Sequence, residues 1–139
     1  MVGVMPRVPR ASLALLGAAA VLTGCGGGPA ATLDRDGVLE LRLDEYRVEP
    51  TALKVREGRI RLVAVNRGRL THNVQLDEAV DEEAANPPSL ARTVTLQPGA
   101  RAPAVDVTLA PGRYRLLCTI GNHENLGQHA EVEVIGRGG

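Results

Sequence analysis

Between Leu117 and Gln128 the chain places a thiol, Cys118, an imidazole five residues later, His123, and a side-chain amide five residues beyond that, Gln128. A second imidazole, His72, lies in the run Thr71-His72-Asn73-Val74-Gln75-Leu76. One soft thiolate, two borderline imidazoles and a weak fourth donor describe the trigonal copper site used for electron transfer. Taken singly, His72 reads as a surface strand histidine, Cys118 as a buried thiol, and Gln128 as a solvated loop residue. His123 by itself is nearly uninformative. The combination is what points to a metal loop.

These donors need rigid supports. From Val38 the chain alternates, with Leu39, Leu41 and Leu43 on one side and Glu40, Arg42 and Asp44 on the other, the period of a strand with one buried face. Leu53 and Val55 predict a short second strand, and Ile60–Val65 is apolar on both faces except at Arg61, which places it centrally in a sheet. Asn66-Arg67-Gly68-Arg69 is a turn into Thr71–Leu76; Thr93–Leu96, Val105–Leu109, Tyr114–Cys118 and Val132–Val134 continue the strand pattern. The acidic stretch from Asp77 to Leu90, with Asn86-Pro87-Pro88, breaks it and is too short to decide by periodicity. Seven or eight short strands separated by turns predict an all-β antiparallel sandwich over residues 38–139. Phe and Trp are absent, so Leu, Val, Ile and Ala must fill the core. Tyr114 either ties a corner of the sandwich through its hydroxyl or simply fills space.

The N-terminus carries a different message. Arg7 and Arg10 precede an apolar run from Ala11 to Leu22 that ends in Leu22-Thr23-Gly24-Cys25. That reads as a signal peptide over residues 1–24 rather than a membrane span, and its end resembles the bacterial lipoprotein box, in which the cysteine is acylated and becomes the mature N-terminus; the alternative is ordinary secretory cleavage beside an incidental cysteine. Residues 25–37, rich in Gly and Ala, read as a flexible tether from a lipid-bearing Cys25. The expected location is extracytoplasmic, attached to the bacterial cell membrane. Acylation of Cys25 leaves Cys118 without a disulfide partner, and a lone thiol in an oxidising compartment is either buried or bound to something.

Charge excludes one class of function. The chain has 16 basic and 16 acidic residues, and loss of the signal removes two arginines and no acid. The mature protein is therefore slightly acidic, without the basic excess of a nucleic-acid surface. A monomer is expected. Three histidines in all are too few for a multicopper enzyme, and neither a Ser-His-Asp arrangement nor a phosphate-binding glycine loop is found, so the chain does not read as an enzyme.

The run Thr71–Leu76, the approach Pro111-Gly112-Arg113-Tyr114, and Cys118 with His123 and Gly127 resemble the cupredoxins, the blue copper proteins that include plastocyanin-like and azurin-like domains. The resemblance covers residues 38 to about 135. It implies a Greek-key sandwich, one type 1 copper ion on His72, Cys118 and His123, and an Asn73 whose hydrogen bonds brace the cysteine loop. Family members commonly place a methionine one residue after the loop glycine, where this chain has Gln128, similar to the stellacyanin-type variant with an axial amide oxygen. Both methionines, Met1 and Met5, leave with the signal, so no axial thioether is available. His129 competes with Gln128 for that place, and a site with no axial ligand is a third option. The reading that follows is an electron shuttle between redox protein partners. Its rivals are a copper carrier or chaperone on the same fold and a metal-free interaction domain. Arg67 and Arg69 either steer an acidic partner or are ordinary solvated turn residues.

Overall fold

The computed structural model describes residues 31–33, 37–79 and 87–138. The signal, Cys25 and the acidic Asp81–Glu83 cluster lie outside them. Among the described residues no helix is long and apolar enough to cross a membrane.

The leucine alternation becomes β2 (Val38–Asp44), with a strict exposed-buried rhythm that turns Leu39, Leu41 and Leu43 inward. A two-residue turn at Glu45 and Tyr46 leads into β3 (Arg47–Glu49), paired antiparallel to β2. β4 (Ala52–Arg56) crosses to the opposite sheet, and β5 (Gly58–Asn66) returns to lie parallel to β2, buried along most of its length as its apolar run requires. β8 (Val105–Leu109) closes that sheet, in the order β3-β2-β5-β8. The facing sheet has six strands in the order β1-β4-β10-β9-β6-β7, where β1 is Ala31–Leu33, β6 Gln75–Glu78, β7 Ser89–Arg92, β9 Gly112–Leu117 and β10 His129–Ile135.

The result is an all-β two-sheet sandwich. It has more strands than the seven or eight expected, because the additional ones are three or four residues long and carry too little alternation to register. β1 falls within the stretch expected as a tether and pairs in parallel with β4. Pairing is mixed rather than antiparallel throughout: β1 with β4, β4 with β10 and β2 with β5 all run parallel. Side-chain alternation is the same in both orientations and cannot distinguish them. Between the sheets the core holds leucines, valines, Ile60, alanines and Tyr114. The Tyr114 hydroxyl donates to the Ala110 carbonyl at 2.8 Å while its ring is buried, so it both fills the core and ties down the turn before β9.

The first part of one expected strand, Thr71–Val74, and the whole of another, Thr93–Leu96, are loops stitched by a single bridge, while Gln75 and Leu76 open β6. His72 pairs with Leu96 as an isolated antiparallel bridge, through His72 N–H to Leu96 O at 3.1 Å and Leu96 N–H to His72 O at 2.7 Å. Two residues on, Val74 exchanges backbone and side-chain bonds with Thr93. This pins the His72 backbone before β6 begins.

Candidate metal centre

β9 delivers Cys118 one residue past its last paired position, and β10 begins at His129, opposite Leu117. The two strands are antiparallel neighbours, so the chain between them must reverse within a short loop. Cys118 N–H donates to the Gln128 carbonyl at 3.0 Å and closes its base. Inside, Gln128 N–H bonds to the His123 carbonyl and His123 N–H to that of Ile120, winding residues 121–127 into consecutive turns. The wound loop carries His123 back over Cys118, with Sγ and Nδ1 3.7 Å apart. Gly127 has φ of 113°, in the left-handed region open to glycine, and a side chain there would press on the Tyr46 carbonyl at 3.2 Å.

His72 enters from the other side. One donor atom from each of His72, Cys118 and His123 lies within 4.8 Å of the other two, and the two imidazole centroids are 5.2 Å apart. Cys118 is a free, buried cysteine. His72 is fully buried and His123 partly exposed.

Burial makes the unpaired atoms informative. Among the described residues two buried side-chain polar atoms have no hydrogen-bond partner, His72 Nδ1 and Gln128 Oε1. An orphaned buried polar atom costs about 1–3 kcal/mol, so each of these is expected only where something else satisfies it. The remaining polar atom of each side chain is engaged. Gln128 Nε2 donates to the Asp44 carbonyl at 2.9 Å, and His72 Nε2 lies 3.4 Å from Glu45 Oε1. The residues present therefore fit a copper ion of the type 1 kind: a thiolate, two imidazole nitrogens and an amide oxygen, with each orphaned atom a ligand type that such an ion accepts.

The other sequence-selected residues fall as follows. Asn73 accepts the Thr119 N–H at 2.9 Å and donates to the Thr119 hydroxyl at 2.9 Å, linking the His72 loop to the residue after Cys118. His129 stands outside the cluster; its β10 neighbours Ala130, Val132 and Val134 point inward and it does not. Arg67 and Arg69 are exposed.

Sequence reasoning missed the turn between β2 and β3. The last residue of β2 and the two turn residues reach three different donors: the Asp44 carbonyl holds Gln128, the Glu45 carboxylate faces His72, and the Tyr46 ring meets His123 edge-on at 5.2 Å. Tyr46 adopts φ of 48°, a left-handed conformation unusual for an aromatic residue and of the kind stored at functional sites. Glu45 is also the most perturbed acid here. The Leu70 N–H, aided by the Arg69 N–H and the His72 ring and opposed by desolvation, holds its carboxyl at about 2 instead of the ordinary 4.5. Glu45 lies 27 positions before His72 in a turn just past the end of β2, where an acidic residue reads as an ordinary solvated turn residue and gives no local signal.

Comparison with known proteins agrees with this architecture. No family model and no curated protein matches the chain significantly. Solved structures do. Auracyanin B aligns at 26% identity with a TM-score of 0.63, over 79% of this chain and 96% of that one. The fold is cupredoxin-like. Dithionite-reduced auracyanin from Roseiflexus castenholzii aligns at 24% identity and TM-score 0.62, covering 73% of this chain and 99% of its own. Auracyanin A from Chloroflexus aurantiacus, described as a "blue" copper protein, aligns at 20% identity and TM-score 0.59, over 71% and 100% of the two chains.

Proposed function

We propose that this protein holds one type 1 copper ion on His72, Cys118 and His123, with the Gln128 amide oxygen in the axial place, and shuttles single electrons between extracytoplasmic redox proteins. The observation that carries the reading is the pair of orphaned buried atoms, His72 Nδ1 and Gln128 Oε1, beside a free buried thiol. When bound, copper supplies a one-electron couple. The protein's contribution is to keep the donors still. Cys118 is pinned by a backbone bond to Gln128, His72 by its bridge to Leu96, and the two loops are tied together through Asn73 and Thr119. Donors that do not move on a change of charge keep reorganisation small, and transfer is fast.

Burial favours a shuttle over a carrier. His72, Cys118 and Gln128 are all inaccessible, so a partner protein could not take their ligand atoms in turn. His123 is the partly exposed donor, and exposed Tyr46, Leu70 and Leu126 belong to the segments around it. This is the face through which we propose electrons pass. We further propose that acylated Cys25 tethers the domain to the bacterial membrane, a reading supported by the sequence pattern around that cysteine.

The deciding experiment is a Cu(II) titration of the full chain in mild detergent, followed by absorption and electron paramagnetic resonance. An intense blue charge-transfer band with narrow copper hyperfine splitting is expected at one equivalent. A colourless protein that takes up no stoichiometric copper would sink the electron-carrier reading.

A further inference from the structure

The Glu45 carboxylate has no assigned role, yet its surroundings are built for it. Glu45 Oε1 receives the Arg69 N–H at 2.6 Å and the Leu70 N–H at 2.9 Å, and faces His72 Nε2 at 3.4 Å. The side chain of His72 is fully buried and that of Glu45 about a quarter exposed. Gly68 leaves the space open. A Cβ there would collide with Glu45 Oε1 and stand 3.2 Å from His72 Nε2, so a residue with a side chain at this position would force the carboxylate off the imidazole.

The geometry points to Glu45 as the positioning residue of the buried imidazole: its carboxylate takes the His72 Nε2–H, leaving Nδ1 as the free ligand atom, and sets a negative charge behind the metal. An imidazole has two tautomers, and the partner of one nitrogen decides which nitrogen is free to ligate. Two backbone N–H groups hold the carboxylate in this position. Because it acts through the ring, its charge favours the more highly charged state of whatever ion the ring binds. The consequence for the copper couple rests on the function proposed above; the consequence for the His72 tautomer does not.

Both parts are read on the full chain. In the metal-free protein, long-range nitrogen–proton correlation spectra of His72 are expected to show the Nε2–H tautomer with a downfield-shifted Nε2–H proton. Glu45→Gln keeps an accepting oxygen and is expected to retain that tautomer, whereas Glu45→Ala and Gly68→Ala are expected to lose the downfield shift. An Nδ1–H tautomer in the wild type, or an Nε2–H resonance indifferent to Glu45→Ala, overturns the assignment. If Glu45→Ala does not fold, the wild-type spectrum decides alone. In the copper-loaded protein, Glu45→Gln removes the charge but not the acceptor. It is expected to shift the relative affinity toward the reduced ion by about tenfold, about 59 mV upward for a one-electron couple. An unchanged potential in a Glu45→Gln protein that is still blue overturns the charge effect. A wild-type protein that never turns blue defeats the copper reading instead and leaves the tautomer result standing.

Discussion

The two imidazoles of the site are held in opposite ways. His72 is buried and fixed by contacts from far along the chain: a bridge to Leu96, a carboxylate from the β2–β3 turn, and Asn73 beside it tied to Thr119. His123 is partly exposed and fixed mainly by its own loop, through backbone bonds to Ile120 and Gln128, with Tyr46 against its ring. The difference separates two tasks. In the copper reading proposed above, a long-range cradle would set the electrostatic environment of the ion, while a local loop would present one edge of the site to the outside.

Several measurements test that contrast. Cys118→Ser removes the thiolate on which both imidazoles converge and is expected to abolish the blue band outright, checked by absorption. His72→Gly and His123→Gly should then part company. Added imidazole is expected to restore most of the colour to His123→Gly, whose cavity opens to solvent, and little of it to His72→Gly, whose cavity is sealed; equal rescue of the two would erase the distinction. Gln128→Met exchanges a hard axial oxygen for a soft thioether and should raise the potential by roughly one to two decades of relative affinity, each worth about 59 mV, as read by redox titration.

Smaller effects bear on the supports. Asn73→Ala removes the bonds that couple the two loops, at a cost of about 1–3 kcal/mol, measurable as a lowered denaturation midpoint. Away from the donors, Asp106 offers a control on charge. The Arg61 and Arg59 guanidiniums hold its carboxyl below the usual 3.8. A lowered folded-state value stabilises the protein above the unfolded value and loses that contribution as pH falls through the folded one. The stability gap between the wild type and Asp106→Asn is therefore expected at neutral pH and should close below about pH 3.8, with the copper spectrum unaltered.

What the sequence made legible follows from what each residue can do alone. Cys118, His123 and His72 stood out because thiols and imidazoles are few in this chain and their chemistry is narrow. The Leu39, Leu41 and Leu43 alternation was legible because burial of one face leaves a period of two. The parallel pairing of β2 with β5 was not, since alternation is blind to strand direction, and neither were three-residue strands such as β3. The supposed strands around His72 and Leu96 turned out to be bridged loops because Thr93 and Asn73 spend their hydrogen-bonding groups on cross-links rather than on a ladder. Glu45 was hidden for a different reason. Its role depends on a void at Gly68 and on two backbone amides, none of which is written in the spacing of chemically distinctive side chains.

The β2–β3 turn carries a lesson for protein engineering. Because Asp44, Glu45 and Tyr46 each reach a different donor from outside the Cys118–Gln128 segment, that segment is not a self-sufficient cassette. Grafted onto another sandwich it would take Cys118, His123 and Gln128 along and leave His72 and the contacts of Asp44, Glu45 and Tyr46 behind. Conversely, substitutions at the turn residues Glu45 and Tyr46 would alter the surroundings of His72 and His123 and leave the donor set itself unchanged.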